Sequence, residues 1–287
     1  MKIKNNTAVV LFILPASLMY TLFIIIPAGY NFFYSVTRWN GVSAPIFNGV
    51  ANYVRIFGTR DYWRVLVNTM RLLLASVFIQ VPIGMVLAYL LLHRTKGYKF
   101  FRTIMFFPVV VAPVAIGVMF SLFYNSDVGP LNQLLSAVRL GALRRNWLSD
   151  VKVVMNSVIF PQIWQYIGYS LVILFTSMKA IPQEIFESAD IDGASSTQVF
   201  FSIVIPMIMD TIVIAIILVV TGSLKSFDYC WALTKGGPGN ASALMSVFMY
   251  KTAFVQNQFG LGSAITMTVL VYSIGLTIIV KKIGSRV

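Results

Sequence analysis

The feature that most restricts this chain is a set of long uncharged stretches. Ala8–Tyr30, Leu72–Leu92, Ile104–Tyr124, Val153–Met178 and Phe259–Val280 hold no charged residue over 23, 21, 21, 26 and 22 positions. Each meets the need for roughly 20 apolar residues to carry a helix across a hydrocarbon core of about 30 Å. Lipid offers no partner to backbone N–H and C=O groups, so such stretches cross as helices, which satisfy those groups internally. A sixth stretch, Thr211–Leu224, covers only 14 residues. Asp210 interrupts it and the largely apolar Ser202–Met209 extends it, which predicts a sixth spanning helix with a polar start, kinked near Pro206. The expectation is an all-α membrane protein of six transmembrane helices in a single domain over 1–287. Its spans are placed near 8–30, 72–92, 104–124, 153–178, 203–224 and 259–280.

Composition agrees: 58% of residues are hydrophobic and 11% charged, against roughly 45–50% and about 25% in soluble domains. Lys2 and Lys4 precede the first stretch, as in a secretory signal. That stretch outruns a signal's apolar core of about 7–15 residues, and an uncleaved anchor is expected. The net charge of +13, from 22 Lys+Arg against 9 Asp+Glu, does not imply nucleic acid, because the basic residues form no single patch. His93, Arg94, Lys96, Lys99 and Arg102 crowd the short link after the second stretch, and Lys281, Lys282 and Arg286 end the chain. Under the positive-inside rule these place both termini in the cytoplasm; the expected location of this multi-pass chain is the cell membrane of a prokaryote. Arg38, Arg55, Arg60, Arg64, Arg139, Arg144 and Arg145 fall in longer loops assigned outside, so density rather than count sets the orientation. With one cysteine, Cys230, and one histidine, His93, neither an intramolecular disulfide nor a Cys/His metal cluster can form. His93 reads as an interfacial residue.

Prolines at 15, 82, 108, 113 and 161 interrupt the apolar stretches. Proline lacks an N–H and clashes with the preceding turn, and breaks of this kind persist where neighbouring helices or a polar path satisfy the freed backbone. The link 180–206 stands apart. Pro182 suits a helix start, and Ile181, Ile185 and Ala189 recur on one face. Gly193 can end that helix in the left-handed conformation, and Ser195 with Gln198 forms a capping box for a second helix. Four of the nine acidic residues, Glu184, Glu187, Asp190 and Asp192, fall in this link. A solvated acidic face would explain the charge; a protein-docking surface explains the charge and the two capped helices together.

Glu187-Ser188-Ala189, Gly193 and Ile203-Val204-Ile205-Pro206 resemble the EAA loop of binding-protein-dependent ABC importer permeases, with Ser188 and Ile205 as mild departures. Phe227-Asp228, Leu233-Thr234, Gly236-Gly237-Pro238 and Asn240 resemble a segment of the maltose-type sugar permeases, and Phe254, Gly260 and Ser263-Ala264 continue that pattern. The chain looks most like the first of the two permeases of such importers. The resemblance implies a cytoplasmic coupling helix in 180–206 that contacts a separate ATPase through Glu184, Glu187, Ser188, Ala189, Asp190, Gly193 and Ala194. It further implies a second permease, an ATPase dimer that carries ATP and Mg, and an extracytoplasmic sugar-binding protein. No Gly-Lys pair occurs, so the chain lacks the phosphate-cradling P-loop. No catalytic residue, metal or cofactor of its own is expected.

Polar and aromatic residues inside the stretches are candidates for a sugar path: Gln162, Trp164, Gln165, Tyr166 and Tyr169, with Gln80 and Asn156 further off. Amides hydrogen-bond hydroxyls, and aromatic faces stack on sugar rings; intramembrane amides also glue helices together. Ser223 and Lys225 cannot form a protease dyad at a two-residue helical spacing. A simple channel would not need the capped acidic link. An ABC permease for glycerol phosphate or a polyamine is the alternative. The first would want basic residues in the spans, where only Arg71 stands at an edge, and the second acidic ones.

Overall fold

The computed structural model describes residues 6–92 and 97–284, with side chains from residue 10 onward. Lys2, Lys4, His93, Arg94, Lys96 and Arg286, which carry part of the orientation argument, lie outside the described residues. The chain is a multi-pass, overwhelmingly helical membrane protein. Five helices are long and apolar enough to cross a bilayer: Val10–Ser35, Arg60–Leu92, Val154–Lys179, Met209–Thr234 and Phe259–Gly284. The third expected span is present as two helices, Tyr98–Val110 and Pro113–Phe123, bent by 91°. Counting that pair as one broken span gives six.

Proline chemistry explains the different fates of these helices. Pro27, Pro82 and Pro206 each sit two residues after a widened π-turn, at Thr21–Ile25, Ser76–Gln80 and Phe200–Val204. The carbonyl that a proline cannot engage, four residues back, lies inside each widened turn, so the helix continues. Pro113 behaves otherwise. Val111 and Ala112 are extended, with ψ of 138° and 129°, as a residue before proline prefers, and the helix turns sharply. The fifth span kinks at Ile208 (φ −107°, ψ 15°), two residues past Pro206.

The chain divides into two compact units. One comprises residues 1–59 and 249–270. In it the first span exposes its whole apolar window, and Thr37–Arg38 pairs antiparallel with Ile46–Phe47 in a two-stranded ribbon. The buried Asn52 amide donates to the carbonyls of Ser35 and Thr37 at 2.9 and 2.8 Å. Trp39 stacks on Tyr34 at 4.1 Å. The ribbon lies against the start of the sixth span, where the Gly260 N–H donates to the Trp39 carbonyl.

The other unit, residues 60–248 and 271–287, is built around Val154–Lys179, whose apolar window is 61% buried. The second and third spans both pack against this fourth one. Close approach requires a glycine at 168, where a side chain would run into the Met105 carbonyl; small residues at such crossings let membrane helices pack through their backbones. The second span starts at Arg60, well before the uncharged stretch. Tyr62, Val65, Asn68, Thr69 and Leu72 are buried along one face of that extension, so a polar amphipathic helix stands where an outer loop was expected.

Candidate functional site

The link between the fourth and fifth spans folds as two short helices. The acidic one runs Gln183–Ile191 with Pro182 at its N-cap. It ends in a Schellman motif: the Ala194 N–H donates to the Ala189 carbonyl at 2.9 Å and the Gly193 N–H to the Asp190 carbonyl at 3.1 Å. Gly193 has φ +72°, a conformation in which any Cβ is strained. The next helix opens at once with a reciprocal capping box, the Ser195 Oγ accepting from the Gln198 N–H while the Ser195 N–H donates to Gln198 Oε1. Stop and start signals lie so close that they fix the angle between the two helices.

One face of this pair is glued to the bundle. Ala189 is 5% exposed and joins Val199, Phe200, Met178 and Tyr89 in a buried cluster, with Ile181, Phe186 and Ala194 packed against it. The Tyr89 hydroxyl donates to the Ser196 carbonyl at 2.7 Å. Ala189 therefore points inward, and Ala194 is half-buried. The outward face carries Glu184, Glu187, Ser188, Asp190 and Asp192, all exposed. None of these four carboxylates forms an ion pair among the described residues; Glu187 only accepts from Gln183 Nε2 at 3.0 Å. Beside them Ile191 is 86% exposed, an apolar tip that the charge pattern alone did not mark.

The residues proposed for a sugar path divide between three places. Gln162, Tyr166 and Tyr169 line one cavity of about 320 Å³, together with Gln80 from the second span. Lys225, Ser226 and Asp228 join them from the break in the fifth span, residues that attracted attention in the sequence only as part of a motif. Gln165 lies elsewhere. Fully buried, it donates to the carbonyls of Pro108 and Val111 at 2.7 and 2.8 Å, closing off the broken end in the third span. Trp164 lies in a separate aromatic cavity, 5.8 Å from the Phe120 ring, and Asn156 lines that cavity too. The amides also act as glue. Gln162 Oε1 accepts from Ser226 Oγ at 2.6 Å, and Gln80 donates to the Tyr166 carbonyl and to Ser170 Oγ.

The second motif has an internal use. After the helix Asp228–Thr234 the backbone enters left-handed conformations at Lys235, Gly236, Gly239 and Asn240. Asn68 of the second span donates to the carbonyls of Asn240, Ala241 and Ala243 at 3.3, 3.0 and 3.2 Å. Thr69 Oγ1 accepts from the Met245 N–H, and Arg64 donates to the Gly239 carbonyl. The polar extension of the second span exists to hold this segment.

Comparison with known proteins agrees with both motifs. The profile of the binding-protein-dependent transport system inner membrane component family matches residues 80–287. The probable ABC transporter permease protein YurN of Bacillus subtilis is 37% identical over 282 residues, covering 97% of this chain and 96% of the relative. The trehalose/maltose transport system permease protein MalF of Thermococcus litoralis is 30% identical over 275 residues, covering 96% and 92%. A chain of the bacterial alginate ABC transporter, solved in complex with an alginate pentasaccharide-bound periplasmic protein, superposes with a TM-score of 0.83 at 20% identity, over 97% of this chain and 94% of that one. This last likeness shows the fold.

Proposed function

Because the chain belongs to the family of binding-protein-dependent transport system inner membrane components, we propose that it is one of two permeases in an ATP-driven importer of a sugar or oligosaccharide. The observation that carries this reading is the outward acidic face at 183–193. Its backbone is held by a Schellman stop, a capping box and a buried apolar seam, while its carboxylates have no counter-charge among the described residues. A rigid, exposed, unpaired charged face suits a basic cleft on another protein. That partner is a cytoplasmic ATPase dimer, which holds the ATP and Mg. In this arrangement Glu184, Glu187 and Asp190 make the contact, and Gly193 sets its angle. Both termini then lie in the cytoplasm.

Substrate class rests on the 320 Å³ cavity and on the relatives. Its amides and phenols suit hydroxyl groups, and its aromatic faces suit sugar rings. Lys225 and Asp228 leave it without net charge, which favours a neutral sugar over glycerol phosphate or a polyamine. The trehalose/maltose relative supports the same class. An external sugar-loaded protein delivers the substrate, and the second permease supplies the other half of the path.

The test is purification of the tagged chain from its own cell membrane. A second permease and an ATPase should co-purify, and sugar-loaded binding protein should stimulate ATP hydrolysis by the complex. Recovery of the chain alone, or hydrolysis by the chain alone, contradicts the proposal.

A further inference from the structure

The segment between the third and fourth spans lies at the end of its unit opposite the acidic helix, because the chain crosses once along each span. It is folded rather than loose. The buried Asn132 donates to the carbonyls of Ser126 and Arg145 at 3.0 and 3.1 Å, and its Oδ1 accepts from Trp147 Nε1 at 2.9 Å. One side chain thus ties both ends of a 20-residue excursion, from Ser126 to Arg145.

Two cavities flank the Asn132–Trp147 bond. On one side is an open polar hollow lined by Asp127, Arg144, Arg145 and Asp150. Arg145 pairs with Asp150 at 3.4 Å, and Asp127 accepts from Ser126 Oγ. The exposed Arg144 forms no ion pair with either. On the other side is a cavity of about 550 Å³ walled by Phe120, Phe123, Trp147, Phe160 and Trp164, within the range of about 300–1,000 Å³ typical of ligand sites. Phe160 and Trp164 remain 55% and 40% exposed. A charged hollow lined by Asn132 and an apolar cavity lined by Trp147 are therefore joined through the hydrogen bond between those two side chains, at the level where two spans end. Tryptophan is enriched at that depth, where an apolar ring meets polar headgroups.

We propose that this pair of cavities is a binding site for one phospholipid with a primary-ammonium headgroup. Its phosphate would lie on Arg144 and Arg145, its ammonium on Asp127, and one acyl chain in the aromatic cavity. Charge complementarity selects this ligand. Two guanidinium groups and two carboxylates match a zwitterion better than a purely anionic headgroup, and a guanidinium fork suits phosphate oxygens. A primary ammonium donates hydrogen bonds to a carboxylate, whereas a quaternary one has no proton to donate.

The experiment is native mass spectrometry of the purified full chain in detergent, titrated with phosphatidylethanolamine, phosphatidylcholine, phosphatidylglycerol or free phosphoethanolamine. Wild type should hold one phosphatidylethanolamine in preference to the other two lipids, and phosphoethanolamine should not be retained. Asp127→Asn and Arg144→Gln change only exposed groups, and circular dichroism should show both folded. Each should weaken phosphatidylethanolamine by roughly tenfold, as expected for one charge-assisted hydrogen bond. Equal retention of the three lipids, unchanged affinity in both variants, or binding of phosphoethanolamine as tight as the lipid would each overturn the site. So would lost capture by the external binding protein with lipid retention intact, because the surface would then be a protein contact.

Discussion

Two segments carry the family likeness, and they treat their polar groups in opposite ways. In 235–245 the polar backbone is turned inward and satisfied by the second span, with Ser242, Ala243, Leu244 and Met245 essentially buried. In 183–193 the backbone is satisfied locally and the side chains are turned outward, with the carboxylates exposed. Buried polar groups without partners are costly, so the first arrangement is a condition of folding. Exposed carboxylates add little to stability. A motif that the fold does not need is one kept for something outside the chain, and this contrast separates a structural motif from a docking one.

The largest stability effect should therefore come from the inward segment. Asn68→Ala leaves the buried Ala241 and Ala243 carbonyls without their donor, a loss of roughly 3 kcal/mol. Thermal unfolding of the purified variant should show a drop of many degrees, with acidic-face variants far less affected. An unchanged melting temperature would erase the contrast. Gln165 belongs with Asn68 on this argument. Gln165→Leu should cost about 1–3 kcal/mol by orphaning the Val111 carbonyl and taking one of two donors from that of Pro108. Gln162→Leu, facing the 320 Å³ cavity, should cost less stability and more uptake. The reverse ranking would move the proposed path away from that cavity.

Gly193→Val comes next. A β-branched residue at φ +72° carries strain of about 1–3 kcal/mol, confined to the turn between the two short helices. Membrane insertion should be normal while uptake and ATPase association are lost; wild-type uptake would show that the angle at Gly193 does not matter. Orientation is tested with almost no energetic effect. Thr197→Cys and Ala142→Cys both replace exposed residues, and the buried Cys230 is first changed to serine. An impermeant maleimide should label position 142 on intact cells and position 197 only after permeabilisation. The opposite pattern reverses the topology.

Much of this was legible because the signals were local. Uncharged runs marked the spans, and Gly193, Ser195 and Gln198 marked a turn whose hydrogen bonds close within a few residues. What escaped was non-local. Pro82, Pro108 and Pro113 look alike in sequence, yet only the stretch before Pro113 opens to a 91° bend, with Gln165 of the fourth span donating to its carbonyls. Arg60–Val65 read as loop because its charges hid a one-sided apolar face, and the segment that this helix holds lies more than 170 positions away. Trp164 and Gln165 sit beside Gln162 in sequence but project to different sides of one helix, so adjacency overstated the cluster. Ala189 posed a conflict between two readings: its four-residue spacing from Ile181 and Ile185 pointed inward, and the resemblance placed it at a partner contact. The structure turns its side chain inward.

The smallest change to the fold is also the most direct test of the docking face. Glu187 is exposed and holds only Gln183, so its replacement should leave the melting temperature unchanged. In the complex, Glu187→Gln removes charge while keeping shape, and Glu187→Lys turns attraction into repulsion, a change of several kcal/mol, roughly, across a partly desolvated contact. ATP hydrolysis by the reconstituted transporter, with and without sugar-loaded binding protein, should fall from wild type to Gln to Lys, with stimulation lost in the last. Equal stimulation in all three would mean that the acidic face does not couple this chain to its ATPase.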